Sequence, residues 1–345
     1  VAGYTSSPDF PATAGAFDER HGGAFDAFVA RLDPAGPRLV AATYLGGIGN
    51  DFAETVRLDA TGNVYASGET WSDDFPTTSG AFDRSHGGLS DMFVVRLDAD
   101  LRAAGYATLI GGSRDDCMDC SMDVAADGRA TIVLKTSSPD LPASAGALSA
   151  GLAGVTDAFV GRLAPGGGSL EMGTYLGGAN WECDEGCYVA AEADGSTVVA
   201  GNTASPDFPL PPGSPAPTAA ERDGFVVRLS PDGGRVTHGR LLAGRLADVP
   251  RDVALAQGGD ILVLARTDSS DYPVTADGFD PVYNGSGDLV VSRLDGATFA
   301  LAYGTFLGGS GTDGGWRPRV VPAGSNGFAV VGTSASADFP TTAGA

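Results

Sequence analysis

The sequence predicts an all-β chain built from one repeated unit of four antiparallel strands. Three observations predict it. Separate motifs recur with a common period of about 66 residues, and short alternating apolar runs are bounded by turn residues. The composition is rich in Gly (52) and Pro (21) yet keeps 43% hydrophobic residues. That apolar fraction is too high for a disordered chain, and Gly follows no three-residue period, which excludes collagen. No apolar run approaches the ~18–20 residues that span a bilayer.

The period is read from three markers. Asp-Phe-Pro stands at 9–11, 74–76, 207–209 and 338–340, with variants at Asp140-Leu141-Pro142 and Asp271-Tyr272-Pro273. The steps between the six are 65, 66, 67, 64 and 67 residues. Asp-x-Phe-Val-x-Arg-Leu stands at 26–32, 91–97, 157–163 and 223–229, with a weaker form at 288–294. Thr-Tyr-Leu-Gly-Gly stands at 43–47 and 174–178, with relatives at 108–112, 240–244 and 305–309. Three markers sharing one spacing identify a repeat architecture.

Within one unit, strand follows strand. Residues 52–58 form strand a, ended by the turn sequence Asp59-Ala-Thr-Gly62. Residues 63–70 form strand b, followed by a long loop that carries Asp-Phe-Pro and Gly-Ala-Phe. Residues 91–98 form strand c, dense in β-branched and aromatic side chains, and 103–110 form strand d, closed by Gly111-Gly112. Gly, Asp, Asn and Pro between such runs are hairpin signals, and no stretch carries a capped helical period. Four antiparallel strands per unit, repeated radially, is the sequence form of a β-propeller. The usual period is ~40–50 residues, and the excess lies in the b–c loop.

Gly-Gly-x-Gly-Asn-Asp, then Val-x-Leu-Asp-x-x-Gly-Asn-Val-Tyr, then Thr-x-Ser-x-Asp-Phe-Pro, all within 46–76, resembles the bacterial SBBP-type β-propeller repeat. The other units carry the pattern with substitutions; Arg240-Leu-Leu-Ala-Gly244 departs furthest. The resemblance implies a propeller and an extracellular or cell-surface address in bacteria. It implies no catalytic residues. The expected organisation is a single repeat domain over 1–345, with units at roughly 1–47, 48–112, 113–178, 179–244 and 245–309 and a partial unit at 310–345. Five blade-equivalents are visible, six or seven if the chain is an excerpt of a longer array. Because the chain begins at Val1 and not at Met, it reads as a processed product or an excerpt. The first unit has b, c and d; the last has a and b. The two ends join into one composite blade with a b strand to spare, or they pair with another molecule.

The b–c and d–a connections share one face and are long and varied, so that face is the candidate binding face. All four cysteines lie on d–a connections, as Cys117-Met-Asp-Cys120 and Cys183-Asp-Glu-Gly-Cys187. The spacing allows a local disulfide in each loop, disulfides between the loops, or a four-thiolate zinc site. In an acidic extracellular chain the preferred reading is two loop staples. Gly46-Gly-Ile-Gly-Asn-Asp51 and Gly308-Gly-Ser-Gly-Thr-Asp313 mimic calcium-roll turns, but they recur once per unit instead of every nine residues. A weak single-loop calcium site at Asp51, Asp116 or Asp313 stands against a plain Gly turn whose Asp caps its own backbone. No other cofactor is expected. The recurring Phe of Asp-Phe-Pro, together with Phe28, Phe93, Phe159 and Phe225, reads as core. Arg31, Arg96, Arg162, Arg228 and Arg293, at one place in strand c, read as a repeated ion pair or blade-edge contact.

Catalysis finds little support. The three histidines, His21, His86 and His238, belong to no metal or nucleophile motif. Adjacent acids such as Asp73/Asp74 and Asp115/Asp116 are not spaced as hydrolytic pairs. The net charge of −22 disfavours nucleic acid and anionic membranes. The chain therefore reads as a non-enzymatic extracellular scaffold or adhesive repeat protein that self-associates or meets a cell-surface glycan or protein. One alternative is a sugar- or peptide-binding module using Trp71, Trp181 and Trp316. A second is a glycan hydrolase or lyase with axial carboxylates.

Overall fold

The computed structural model describes residues 1–36, 38–217, 222–315, 317–324 and 327–342. They contain strands, turns and bends and no helix. The first sheet is β1 (Ala2–Thr5), β2 (Asp26–Asp33) and β3 (Arg38–Leu45). Four sheets of four antiparallel strands follow. They are β4 (Asp51–Leu58) to β7 (Ala104–Ile110), β8 (Ser121–Val124) to β11 (Leu170–Leu176), β12 (Tyr188–Ala191) to β15 (Val236–Leu241), and β16 (Asp248–Leu255) to β19 (Leu301–Leu307). A two-stranded sheet, β20 (Arg319–Ala323) with β21 (Gly327–Val331), ends the series. Within each complete sheet the strands lie side by side in chain order, as in the blades of a β-propeller. β1 takes the b position beside β2 in the first sheet, and β20–β21 forms a two-stranded hairpin. Two compact units comprise Val1–Leu152 with Thr156–Tyr175, and Ala153–Val155 with Leu176–Ala345.

Within each unit the core lies between successive sheets. In the first unit, Val29 and Leu45 meet Ala66, Phe93 and Val95, while Tyr65, Met92 and Val94 meet Ile132, Leu134 and Phe159. In the second, Val198 and Val226 meet Ile261, Val263 and Val290, while Leu262 and Val291 meet Val320. Strand c is therefore covered on both faces, which is why it reads as a continuous apolar run. Phe93, Phe159 and Phe225 are wholly buried, each contributing about 3 kcal/mol. Phe28, in the three-stranded sheet, is half-buried.

The long b–c loop explains the enlarged period. It runs back along strand d and bonds its exposed edge. Thr13, Thr78, Ser144 and Thr275 donate backbone N–H to the carbonyls of Ala42, Ala107, Gly173 and Gly304 at 2.8–3.0 Å. Further along, Tyr44, Leu109, Tyr175 and Phe306 donate to Asp18, Asp83, Ser149 and Asp280. The marker Thr of strand d pins the same loop: the hydroxyls of Thr43 and Thr108 accept the N–H of Asp18 and Asp83. An outer strand that would offer unpaired backbone to other chains is thereby covered. The Asp-Phe-Pro aromatic ring anchors the start of the loop on strand c, with Phe75 on Phe93 (centroids 4.8 Å), Phe208 on Phe225 (4.3 Å) and Phe10 on Phe28 (4.6 Å).

The arginine of strand c forms the repeated ion pair with the acid of the a–b turn. Arg228 meets Glu192 through two bonds of 2.6 Å, Arg293 meets Asp260 at 2.7 Å, and Arg96 lies 3.9 Å from Asp59. Arg31, whose sheet has no strand a, donates instead to the Ala99 carbonyl. The a–b turn is itself an Asx turn. Asp59 accepts the N–H groups of Thr61 and Asn63 together with their side-chain donors, and these bonds hold its carboxyl down to about 2 although partial burial pushes the other way.

The second glycine of each Gly-Gly marker is a steric requirement. A Cβ on Gly112 would stand 2.5 Å from Asp140 Oδ1 and 2.7 Å from Ser138 Cβ; Gly47, Gly178, Gly244 and Gly309 meet the same obstruction. Gly112→Ala should cost about 1–3 kcal/mol in denaturant unfolding. Gly151→Ala, where a Cβ meets nothing within 4 Å, should stay within about 0.5 kcal/mol.

Candidate functional site

The long-loop face is organised by a buried acid at the end of each d–a loop: Asp51, Asp116, Glu182, Asp248 and Asp313, all at most 1% exposed. Asp51 accepts the Gly47 N–H (2.9 Å) and the hydroxyls of Ser72 (2.8 Å) and Thr70. Asp116 repeats this with Gly112, Ser138 and Thr136, and Asp248 with Gly244, Ser269 and Thr267. Glu182 accepts Gly178 and Thr203. Asp313 keeps Gly309 and Ser336, while Ser334 stands where the other units have Thr. The serine hydroxyl also accepts an N–H of the glycine loop, from Gly49, Arg114, Asn180, Leu246 and Gly311. One residue earlier in that loop, Ile48, Ser113, Ala179, Arg245 and Ser310 donate N–H to the Asp of Asp-Phe-Pro. Thr-x-Ser-x-Asp on one side and Gly-x-x-x-acid on the other form a single interlock. Asp51 and Asp116, read from sequence as calcium ligands or turn caps, thus have both carboxylate oxygens engaged by hydrogen-bond donors inside the fold, while Asp313 has donors on Oδ2 only. They cap their own glycine turn and also seize strand b.

Burial raises the carboxyls of Asp51 and Asp116 above the usual range despite these donors, and takes Asp248 to about 6. A second buried acid opens strand c. Asp91, 1% exposed, accepts the Gly87 N–H, and desolvation, opposed by that bond and by His86 and reinforced by Asp116, pushes it up to about 7.

Each cysteine pair closes on itself, Cys117 with Cys120 and Cys183 with Cys187, and all four are buried. Around the second loop the acids are engaged by arginines. Arg222 meets Asp184 (2.8 Å) and Glu185, and Arg251 also meets Glu185. Arg251 is the extra residue of a bulge in β16, and Glu54 is its counterpart in β4. Bulges re-aim side chains in this way. Glu54 Oε2 lies 4.0 Å from Cys117 Sγ.

Trp71 and Trp181 are each about half exposed, the first in one compact unit and the second in the other. Trp316 lies outside the described residues. Sequence reasoning missed Glu69, which precedes Trp71 by two residues and lies beside the Trp71 and Ser90 side chains, which favour its charged form. Burial, reinforced by the charges of Asp115 and Asp119, raises its carboxyl. The signal available was a lone acid near the end of an otherwise uncharged strand b. The histidines hold loops: His21 contacts the Thr5 carbonyl at 3.3 Å, His86 meets Asp73 at 2.9 Å, and His238 stacks on Phe299. The adjacent acid pairs are also divided among structural partners. Asp74 serves Ile48, and Asp115 accepts the Ser90 hydroxyl.

Residues 42–76 match the family model SBBP, described as beta-propeller repeat. The search of curated proteins gave no match. Among solved structures, the Kuenenia stuttgartiensis hydrazine synthase is similar at 11% identity and TM-score 0.40, over 80% of this chain and 64% of that one. A family PL25 polysaccharide lyase, an ulvan lyase, is similar at 8% and 0.45 (86% of this chain, 69% of that one). A thermostable family-43 glycoside hydrolase is similar at 13% and 0.37 (83% and 86%). The chain spans just under two thirds of the hydrazine synthase chain, and identities of this order carry no activity across.

The raised carboxyls give a signed pH dependence. A carboxyl whose folded value lies above its unfolded one, near 3.8, binds more protons when folded. Its stabilisation is full below about 4 and is lost as pH rises through the folded value, about 7 for Asp91 and about 6 for Asp248. Asp91→Asn should flatten the fall in stability between pH 4 and 7, measured by urea unfolding at each pH. An unchanged profile would show that folding does not raise the Asp91 carboxyl.

Proposed function

We propose that this chain is an extracellular bacterial scaffold or adhesive repeat protein whose blades serve assembly, not catalysis. The observation that carries the reading is the interlock. The polar side chains that recur from unit to unit face one another inside the fold, and a repeated ligand site would instead present them outward. The loop disulfides suit an oxidising compartment. The expected partners are further copies of the chain or a cell-surface glycan or protein; at a net charge of −22, nucleic acid and anionic membranes are not among them.

Assembly through the incomplete sheets has two supports. β1 pairs with Asp26–Val29 of β2, leaving Ala30–Asp33 largely without a b-strand partner. Beside that edge lies an open, mainly apolar groove of about 730 Å³, lined by Val1, Leu32, Val56, Leu58 and Leu101 among others. Among the described residues β21 pairs with β20 on one side only, and Val331 is 66% exposed. Strand addition at such edges builds head-to-tail assemblies.

A second reading, a carbohydrate-binding module, is favoured by the half-exposed Trp71 ring beside Glu69. The glycan hydrolase or lyase reading calls for two converging axial carboxylates, and a single acid such as Glu69 does not supply them. Sedimentation velocity over a hundredfold range of concentration separates the readings. The scaffold reading expects concentration-dependent growth that Val331→Pro abolishes. A strictly monomeric chain that binds an immobilised glycan, with binding lost in Trp71→Ala, would replace it with the second.

A further inference from the structure

Glu54, Cys117 and Cys120 form the one group of three metal-ligating side chains, among the described residues, whose ligand atoms all lie within 4.8 Å of one another. Two features bring them together. The bulge in β4 turns Glu54 toward the neighbouring d–a loop. Left-handed backbone at Cys117 (φ 77°) and Asp119 (φ 54°) curls that loop so that both sulfurs face the same carboxylate. A tetrahedral zinc ion with two thiolates and a carboxylate wants sulfurs about 3.8 Å apart and sulfur to oxygen about 3.6 Å. The observed 4.0 Å from Cys117 Sγ to Glu54 Oε2 is within a few tenths of that. The Cys-x-x-Cys spacing is also that of zinc loops.

We propose that the 117–120 loop is a clasp with two closed forms: a disulfide when oxidised, and a zinc site of Cys117, Cys120 and Glu54 with one open position when reduced. Opening the disulfide takes two electrons and two protons. A dithiol supplies them and is itself oxidised to a disulfide; a phosphine supplies the electrons and leaves as its oxide, with water giving the protons. Zinc then displaces both thiol protons to solvent. The second cysteine loop is not equivalent. No such group forms at Cys183 and Cys187 among the described residues, and the carboxylate within that loop, Glu185, is held by Arg222 and Arg251, whose guanidinium charges oppose a cation. The proposal therefore assigns one ion per chain, not two.

The test uses the full chain, once oxidised and once reduced with a phosphine and freed of excess reagent, titrated calorimetrically with zinc in buffers of different ionisation heat. The reduced chain should bind one zinc and release about two protons; the oxidised chain should bind none at that affinity. Cadmium in place of zinc should give the ultraviolet thiolate charge-transfer band. Glu54→Gln, which keeps both cysteines, should weaken zinc at least about tenfold with the circular dichroism spectrum unchanged. Cys183→Ser with Cys187→Ser should leave the single site intact. Two ions per reduced chain, none, equal affinity in Glu54→Gln, or loss of the site in the Cys183/Cys187 variant would each overturn the proposal.

Discussion

Among the described residues, a carboxylate sealed at the end of each d–a loop holds this fold together. Burying such a charge is costly unless donors surround it. Here the donors come from two chain segments about twenty residues apart, the glycine turn just before the acid and the Thr-x-Ser step at the end of strand b. Because the two sets meet on one carboxylate, the d–a loop and the b–c loop cannot move independently. The raised carboxyls of Asp51, Asp116 and Asp248 show that even three donors do not fully replace water. Charge-assisted bonds in a low-dielectric site are strong and directional, which suits a device that fixes loop register from unit to unit.

From that joint outward the architecture follows. With its start locked, the b–c loop drops its Asp-Phe-Pro ring onto strand c and then runs back along strand d, covering the edge that would otherwise template pairing. The extra residues that lengthen the repeat are therefore structural cladding. Variation is left to positions beside the joint. Glu54, Glu185 and Arg251 follow the buried acid by three residues, and Trp71 and Trp181 lie within a residue of interlock positions. These are the places where one unit differs chemically from the next on a common frame.

Strand positions and the packing role of the Asp-Phe-Pro ring were legible because they depend on local periodicity and on a motif repeated with even spacing. The role of Asp51, Asp116 and Asp313 was only half legible. Their glycine turns are contiguous in sequence, so capping was readable, but Thr70 and Ser72 arrive only when the a–b hairpin closes. One signal was present: Thr-x-Ser-x-Asp recurs wherever Gly-x-x-x-acid precedes it, with Ser replacing Thr in the last unit. The approach of Glu54 to Cys117, 63 residues apart, depends on a bulge that no composition or spacing rule marks. Glu69 was missed because one acid near a strand end resembles any solvated residue until its burial is known. The local pairing of the cysteines was one of three spacings open to the sequence, and the left-handed turns at Cys117 and Cys183 bring each pair together.

The claim that the buried acid joins two loops is tested most directly by a double-mutant cycle of Asp51→Asn and Ser72→Ala, read by urea unfolding at neutral pH. If the carboxylate and the hydroxyl act as one joint, their losses should be strongly non-additive, with a coupling of about 1–3 kcal/mol. Additive losses, within about 0.5 kcal/mol, would contradict the account and leave the interlock a set of independent capping bonds.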